Sequence, residues 1–271
     1  MIRKCLFSSF VLALAACDGD KPPASQVQPP AAPALKKEGA EPSKAAALLR
    51  GGGSYEVVEV ASPGSLSVTV VFSGDPIPEP AEVAVDTDAE FCGHKVFTED
   101  LLVDKATRGL KNVVVRLEGI TRGKAPPDVV TVANRSCSFD PHVSVAAKGT
   151  KIQLENADKV LHTTRPFLGG SSLFNASLPA GEAPPPPRPI PRTGVMEITC
   201  DVHKWMRGYV YVHTNPYAAV TDKSGALQID GIPPGKYTYV AWHEGLGEKK
   251  GEVEIVAGKQ AELKLEYAAP K

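Results

Sequence analysis

Cys200, His203 and Met206 recur at three-residue intervals in the stretch CDVHKWM. Their side chains offer a thiolate, an imidazole and a thioether, all donors for a soft transition metal. A second imidazole stands upstream at His162, in ENADKVLHTT. Two imidazoles and a thiolate with a weak axial thioether serve both oxidation states of copper. Cu(I) favours sulfur, Cu(II) favours nitrogen, and a trigonal set reorganises little between them. Taken singly these residues say less, since a strand-end histidine is usually structural and a methionine after tryptophan is usually core. Their conjunction with a spare cysteine points to metal.

The chain has five cysteines, Cys5, Cys17, Cys92, Cys137 and Cys200. Export would remove Cys5 and commit Cys17, leaving three in an oxidising compartment, an odd number. One partition joins Cys92 to Cys137 and leaves Cys200 to its His and Met neighbours. The alternative pairs Cys200 with one of the other two and leaves the histidine and methionine spacing without a role.

Export itself is read from the N-terminus. Arg3 and Lys4 precede LFSSFVLALAAC, an apolar run too short to span a bilayer but suited to a secretory signal. Its end, Leu14-Ala15-Ala16-Cys17, resembles the lipobox of bacterial lipoproteins. That resemblance implies cleavage after residue 16, lipid on Cys17, and a place on the periplasmic side of the cell envelope. The alternative is an ordinary signal peptide with a chance cysteine. Residues 17–53 are rich in Pro, Ala, Lys and Glu, bury too little to order themselves, and read as a tether of roughly 30 Å as a coil.

From residue 55 onward the pattern is β. Ten short runs rich in β-branched residues, from SLSVTVVF to AELKLEY, are separated by turn signals such as SGDP, AKGT, DKSG and PPGK. No segment sustains a helical period, so the fold class is all-β, built as sandwiches. The balance of 30 Lys+Arg against 31 Asp+Glu argues against nucleic acid as a partner.

Within this pattern FDPHVSV, KGT, IQLENAD, His162 and the Cys200-His203-Met206 loop, followed by RGYVYV, resemble a cupredoxin, the Greek-key copper sandwich. The loop spacing is similar to that of amicyanin. The resemblance covers residues 128–212, within a domain expected over 123–212, and implies copper held by His162, Cys200, His203 and Met206. It also implies that His203 reaches the surface amid apolar residues. A redox partner would then dock at Lys204, Trp205 and Arg207, and their basic rim calls for an acidic partner. Two positions depart from the family's pattern: Thr163 stands where Asn usually ties the ligand loops together, and Lys204 stands where amicyanin has Pro. His142 reads as a strand histidine or a supporting group. His94, His213 and His243 have no ligand-like neighbours. Asn175 opens a glycosylation acceptor that carries little weight beside a lipobox. Residues 178–194, with seven prolines, read as an exposed loop or a polyproline II segment beside the site.

The remainder, AVTDKSGALQI and GIPPGKYTYVAW above all, resembles the carboxypeptidase regulatory-like module, a transthyretin-like sandwich that brings no active site. Residues 54–122 and 213–268 are expected to form one such sandwich with the cupredoxin inserted, or else 54–122 packs as an extended β segment. Insertion requires strand pairing between 110–118 and 220–242. The expected function is a tethered carrier of single electrons, not an enzyme. A copper delivery or storage lipoprotein, or a structural lipoprotein with a vestigial site, is the alternative.

Overall fold

The structure is a computed structural model that describes residues 55–269. The signal segment, Cys17 and the tether lie outside the described residues. The fold is all-β, with one four-residue helical turn, Ala89–Cys92, among the described residues.

Two pairs of sheets enclose two cores. In the first, strand Gly64–Phe72 lies between Ala226–Ile232 and Gln260–Tyr267. Leu66, Val68, Val70 and Phe72 alternate inward along it, as a period of two demands of a half-buried strand. Facing them is a four-stranded sheet in the order Ala218–Val220, Val114–Leu117, Gly235–His243, Gly247–Ile255. Strand pairing between the segments flanking the candidate cupredoxin is present. Val114 stands opposite Trp242, Arg116 opposite both Val240 and Ala218, and Leu117 opposite Tyr239. Each fully buried aliphatic side chain here contributes about 1.5–3 kcal/mol.

The second core lies between a sheet ordered Arg188–Pro189, Lys151–Asn156, Val129–Arg135, Ser138–Asp140 and a larger sheet. The larger sheet runs Ser171–Ser172, His162–Leu168, Gly194–Cys200, Arg207–His213, Val143–Ala147. Chain-distant strands pair in parallel, Val129–Arg135 with Lys151–Asn156 and Val143–Ala147 with Arg207–His213. Val132, Phe139, Ile152, Leu154, Met196, Ile198 and Val210 fill the space between. Gly208 is needed for this closeness: a Cβ there would lie 3.0 Å from the His142 carbonyl and 3.1 Å from the Phe139 Cβ.

The two sandwiches share a seam. Strand Val114–Leu117 is buried at all four positions. Val115 and Leu117 enter the first core, while Val114 joins Val143 and Tyr211 in a small third cluster with Trp242 packed against it. One excursion leaves the first sandwich: strands Glu82–Ala84 and Lys95–Phe97 form a hairpin with the helical turn between them. Residues 98–110, TEDLLVDKATRGL, hold an isolated bridge between Val103 and Leu110.

Candidate metal centre

Strand register brings the predicted ligands together. His162–Leu168 runs antiparallel to Gly194–Cys200, with Thr164 opposite Cys200, and His162 lies opposite Leu178 on its other side. Alternate residues Met196, Ile198 and Cys200 are buried, as are His162, Thr164 and Leu168. The thiol and the first imidazole therefore enter the same end of the core. The turn after Cys200 closes with the Met206 amide donating to the His203 carbonyl at 3.0 Å, and strand Arg207–His213 begins at once. This turn folds His203 back over the cysteine. Cys200 Sγ lies 3.8 Å from His162 Nδ1 and 3.7 Å from His203 Nδ1, and the two Nδ1 atoms are 3.0 Å apart. All three residues are buried. The thiol sulfur also accepts the His203 backbone N–H at 3.5 Å.

The outer ring nitrogens fix what the inner ones can do. His162 Nε2 lies 3.0 Å from Asp158 Oδ2, and His203 Nε2 lies 3.0 Å from Asp88 Oδ2. A ring whose Nε2–H donates to its carboxylate presents a lone pair on Nδ1 to the centre. Burial pushes the His162 imidazolium pKa below its ordinary value, and the neighbouring His203 adds to this; Asp158 and Asp88 oppose it. Two ring nitrogens and a sulfur converge on one buried point, a donor set that suits a cation. The two nitrogen–sulfur separations suit a shared ion, since a nitrogen and a sulfur at ordinary bond lengths of about 2.0 and 2.3 Å from a trigonal ion would stand about 3.7 Å apart; the nitrogens, 3.0 Å apart, are closer together than the roughly 3.5 Å of a regular trigonal set. Met206 is buried in the same cluster as Cys200.

Asn156 shapes the loop that delivers His162. Its side-chain amide donates to the Val160 and Leu178 carbonyls, and its carbonyl oxygen accepts the Asp158 amide. Asp158 takes two further N–H donors, from Ser136 at 2.6 Å and Cys137 at 2.9 Å. Cys137 is bonded to Cys92, and Cys200 is a free, buried thiol. Trp205 donates its indole N–H to the Cys137 carbonyl at 3.0 Å and lies 5.0 Å, ring to ring, from His203.

Several expectations about the surroundings need correction. His203 does not reach the surface: it is 0% exposed, because the hairpin 82–97 brings Asp88 onto its outer nitrogen. Lys204 and Arg207 are exposed, but Arg207 pairs with Glu197 at 3.0 Å, so the rim is less basic than its sequence suggests. Thr163 does not tie the ligand loops through its side chain, whose buried hydroxyl has no partner among the described residues. Its carbonyl does so instead, accepting the Asp201 amide at 3.0 Å. The proline-rich loop is exposed along most of its length, as expected, but it is pinned at several points. The Pro185 carbonyl accepts from Gln153, Arg188–Pro189 pairs with Lys151 and Ile152, and Ile190 enters the core. His142 is a buried partner of Glu244 across the seam. Asp158 was visible in sequence only as an acid four residues before His162, and nothing near Asp88 marked it, 115 residues from its histidine.

A family model described as polysaccharide lyase family 4, domain II matches residues 191–263. No curated protein matches the chain. Among solved structures, a copper-containing nitrite reductase from Thermus scotoductus SA-01 is similar over 35% of this chain and 24% of its own. Its identity is 22% and the TM-score 0.28, so this chain spans about a quarter of it. A purple cupredoxin from Nitrosopumilus maritimus shares 23% identity over 31% of this chain and 98% of its own, at a TM-score of 0.27. Amicyanin from Paracoccus versutus shares 16% over 36% and 96%, also at 0.27.

Proposed function

We propose that this protein is a type 1 copper protein that carries single electrons and is not an enzyme. The observation that carries this reading is the buried convergence of Cys200 Sγ with two Nδ1 atoms, each backed by a carboxylate on its outer nitrogen. His162, Cys200 and His203 would hold the ion, with Met206 as a weak axial donor. Bound copper supplies a one-electron couple, and a soft-and-nitrogen donor set suits both of its states. The chain's own residues keep the donors fixed: strand register holds Cys200 and His162, the short turn holds His203, and core packing excludes water. A delivery or storage protein is the second reading. Burial of every donor disfavours it, since handing over the ion would require the core end to open. The flanking sandwich is proposed as a transthyretin-like module with no chemistry of its own. Lipid on Cys17 and the tether are proposed to keep the protein at the periplasmic side of the envelope. A redox partner is proposed to dock near Lys204, Trp205 and Arg207.

The test is a visible spectrum of the metal-free chain titrated with Cu(II). An intense thiolate-to-copper band is expected, lost in Cys200→Ser. Met206→Leu should keep the band and shift the reduction potential, because an axial donor tunes the site without creating it. Copper bound without a thiolate band, or a band that survives Cys200→Ser, would overturn the reading and move delivery or storage to first place.

A further inference from the structure

The hairpin that covers His203 has little of its own to keep it there. Its strands Glu82–Ala84 and Lys95–Phe97 show no buried residue, and neither does the helical turn between them. Phe91 and Phe97 are largely in solvent. Burial is slight, with Val83 and Val96 half-buried beside Trp205 and Met206, yet Asp88 sits in hydrogen-bond contact with a fully buried imidazole. The Cys92–Cys137 cross-link supplies the placement. Asp88 begins the turn that ends at Cys92, and its carbonyl accepts the amides of Phe91 and Cys92, both at 2.9 Å. The segment between them is therefore one hydrogen-bonded unit, and fixing Cys92 fixes Asp88.

The other end of the same cross-link reaches the other histidine. Ser136 and Cys137 are consecutive left-handed residues, φ 53° and 56°. That conformation turns two successive amides toward the Asp158 carboxylate, a local anion nest. Asp158 in turn holds His162. Cys137 also receives the Trp205 indole N–H, and Trp205 packs on His203. One disulfide thus adjoins the outer support of both imidazoles.

We propose that the Cys92–Cys137 cross-link, acting through Asp88 and alongside Asp158, keeps both histidines in the tautomer that leaves Nδ1 free for metal. The reason Asp88 is needed lies in the centre itself. With Asp88 gone, the His203 proton has a better place: on Nδ1, donating to the His162 Nδ1 only 3.0 Å away. That inner bond would block the donor, and metal would have to displace a proton to bind. Asp88 prevents the flip by giving the proton a carboxylate on the outside. Asp88 is a positioning residue, and the hairpin is the arm that presents it.

The inference rests on reading His162 and His203 as metal ligands, but its first measurement needs no metal. Long-range proton–nitrogen correlation on the histidine-labelled, metal-free full chain should show both rings protonated at Nε2. Asp88→Ala should move the His203 proton to Nδ1 and leave the His162 Nε2–H in place. Asp88→Asn, whose amide oxygen still accepts, should retain the wild-type tautomer. The double variant Cys92→Ser/Cys137→Ser should behave at His203 as Asp88→Ala does; should it fail to fold, selective reduction of the disulfide in the folded wild type gives the same readout, and a wild-type His203 tautomer without the cross-link overturns its role. Cu(II) affinity by competition should fall about 10–100-fold in Asp88→Ala, as for other supporting partners of ligand histidines, and largely recover in Asp88→Asn. An unchanged His203 tautomer in Asp88→Ala overturns the inference and leaves the copper reading standing. A flipped tautomer in a chain that shows no thiolate–copper band supports the positioning and overturns only the copper reading.

Discussion

Acidification from pH 7 to pH 4 should cost this protein stability through one buried imidazole on the first-core face of strand Gly235–His243, beside Tyr267. His243 has no exposed surface. Its Nδ1 accepts the Gly245 backbone N–H at 3.2 Å, and its Nε2 has no partner among the described residues. Burial pushes its pKa down from 6.5 to about 4; the charge of His142 acts the same way and Asp100 opposes it. In the unfolded chain the same group keeps its ordinary value near 6.5. The unfolded state therefore takes up its proton first as pH falls. The contribution is intact above about pH 6.5 and drains away as pH falls toward 4, because stability declines wherever the unfolded state binds more protons. Over that window the loss amounts to about 3 kcal/mol. His243→Asn removes the titration while keeping an acceptor for Gly245. Denaturant unfolding of metal-free wild type and variant at pH 7 and pH 4 isolates the effect, since the variant's packing cost is present at both pH values. Burial also depresses the His213 and His162 pKa values, and these groups titrate alike in both proteins. Wild type should lose about 3 kcal/mol more than the variant on acidification. Equal losses would show that His243 is not held neutral by burial, and this end of the first core would then be wetter than its packing implies.

Thiol titration of the unfolded, unreduced, metal-free mature chain should find one reactive thiol, Cys200. Removing the cross-link should cost about 4 kcal/mol from chain entropy over a separation of 45 residues; three thiols, or a protected Cys200, would break the partition. Mass measurement of the membrane-fraction protein should show a mature chain beginning at a lipid-modified Cys17. An unmodified N-terminus or cleavage elsewhere would remove the proposed tether.

Much of the centre was legible because it is local in sequence or fixed by strand alternation. CDVHKWM names three donors within one turn. The β-branched runs on either side require a strand, turn and strand, which can only fold His203 back toward Cys200. The inward parity of Met196 and Ile198 carries Cys200 with them. What stayed hidden depends on contacts between distant segments whose own composition is ordinary. Asp88 lies in a short, largely exposed hairpin whose sequence gives no sign of where it packs, and its cross-link through Cys92 joins it to a segment far along the chain. Thr163 shows the opposite error: the missing Asn suggested a weaker tie between ligand loops, but the backbone supplies one through the Thr163 carbonyl. The Pro-rich loop is exposed as read, but its anchoring was not visible, since prolines cannot donate. They can still accept, and Gln153 exploits that.

Covering His203 changes how an electron would reach a partner. Tunnelling falls steeply with distance, so an exposed ligand imidazole is the natural contact point, and here that edge is occupied by the Asp88 carboxylate. Two ways outward remain at the ligand itself. One runs through Asp88, whose side chain is 37% exposed. The other runs across the His203–Trp205 ring contact to a half-exposed indole. Both emerge beside the hairpin rather than through a bare apolar patch around the loop histidine. The hairpin contributes Asp86, Glu90 and the 41% exposed Phe91 to that surface, while Lys204 stands on the loop itself. The proposed docking face is therefore mixed in charge, and Arg207 is already paired with Glu197. Such a face selects a partner by matching a pattern of both signs more than by net attraction, since like charges set opposite one another penalise every wrong register. The same hairpin would then serve two ends, holding the ligand proton outward and presenting the surface through which the electron leaves.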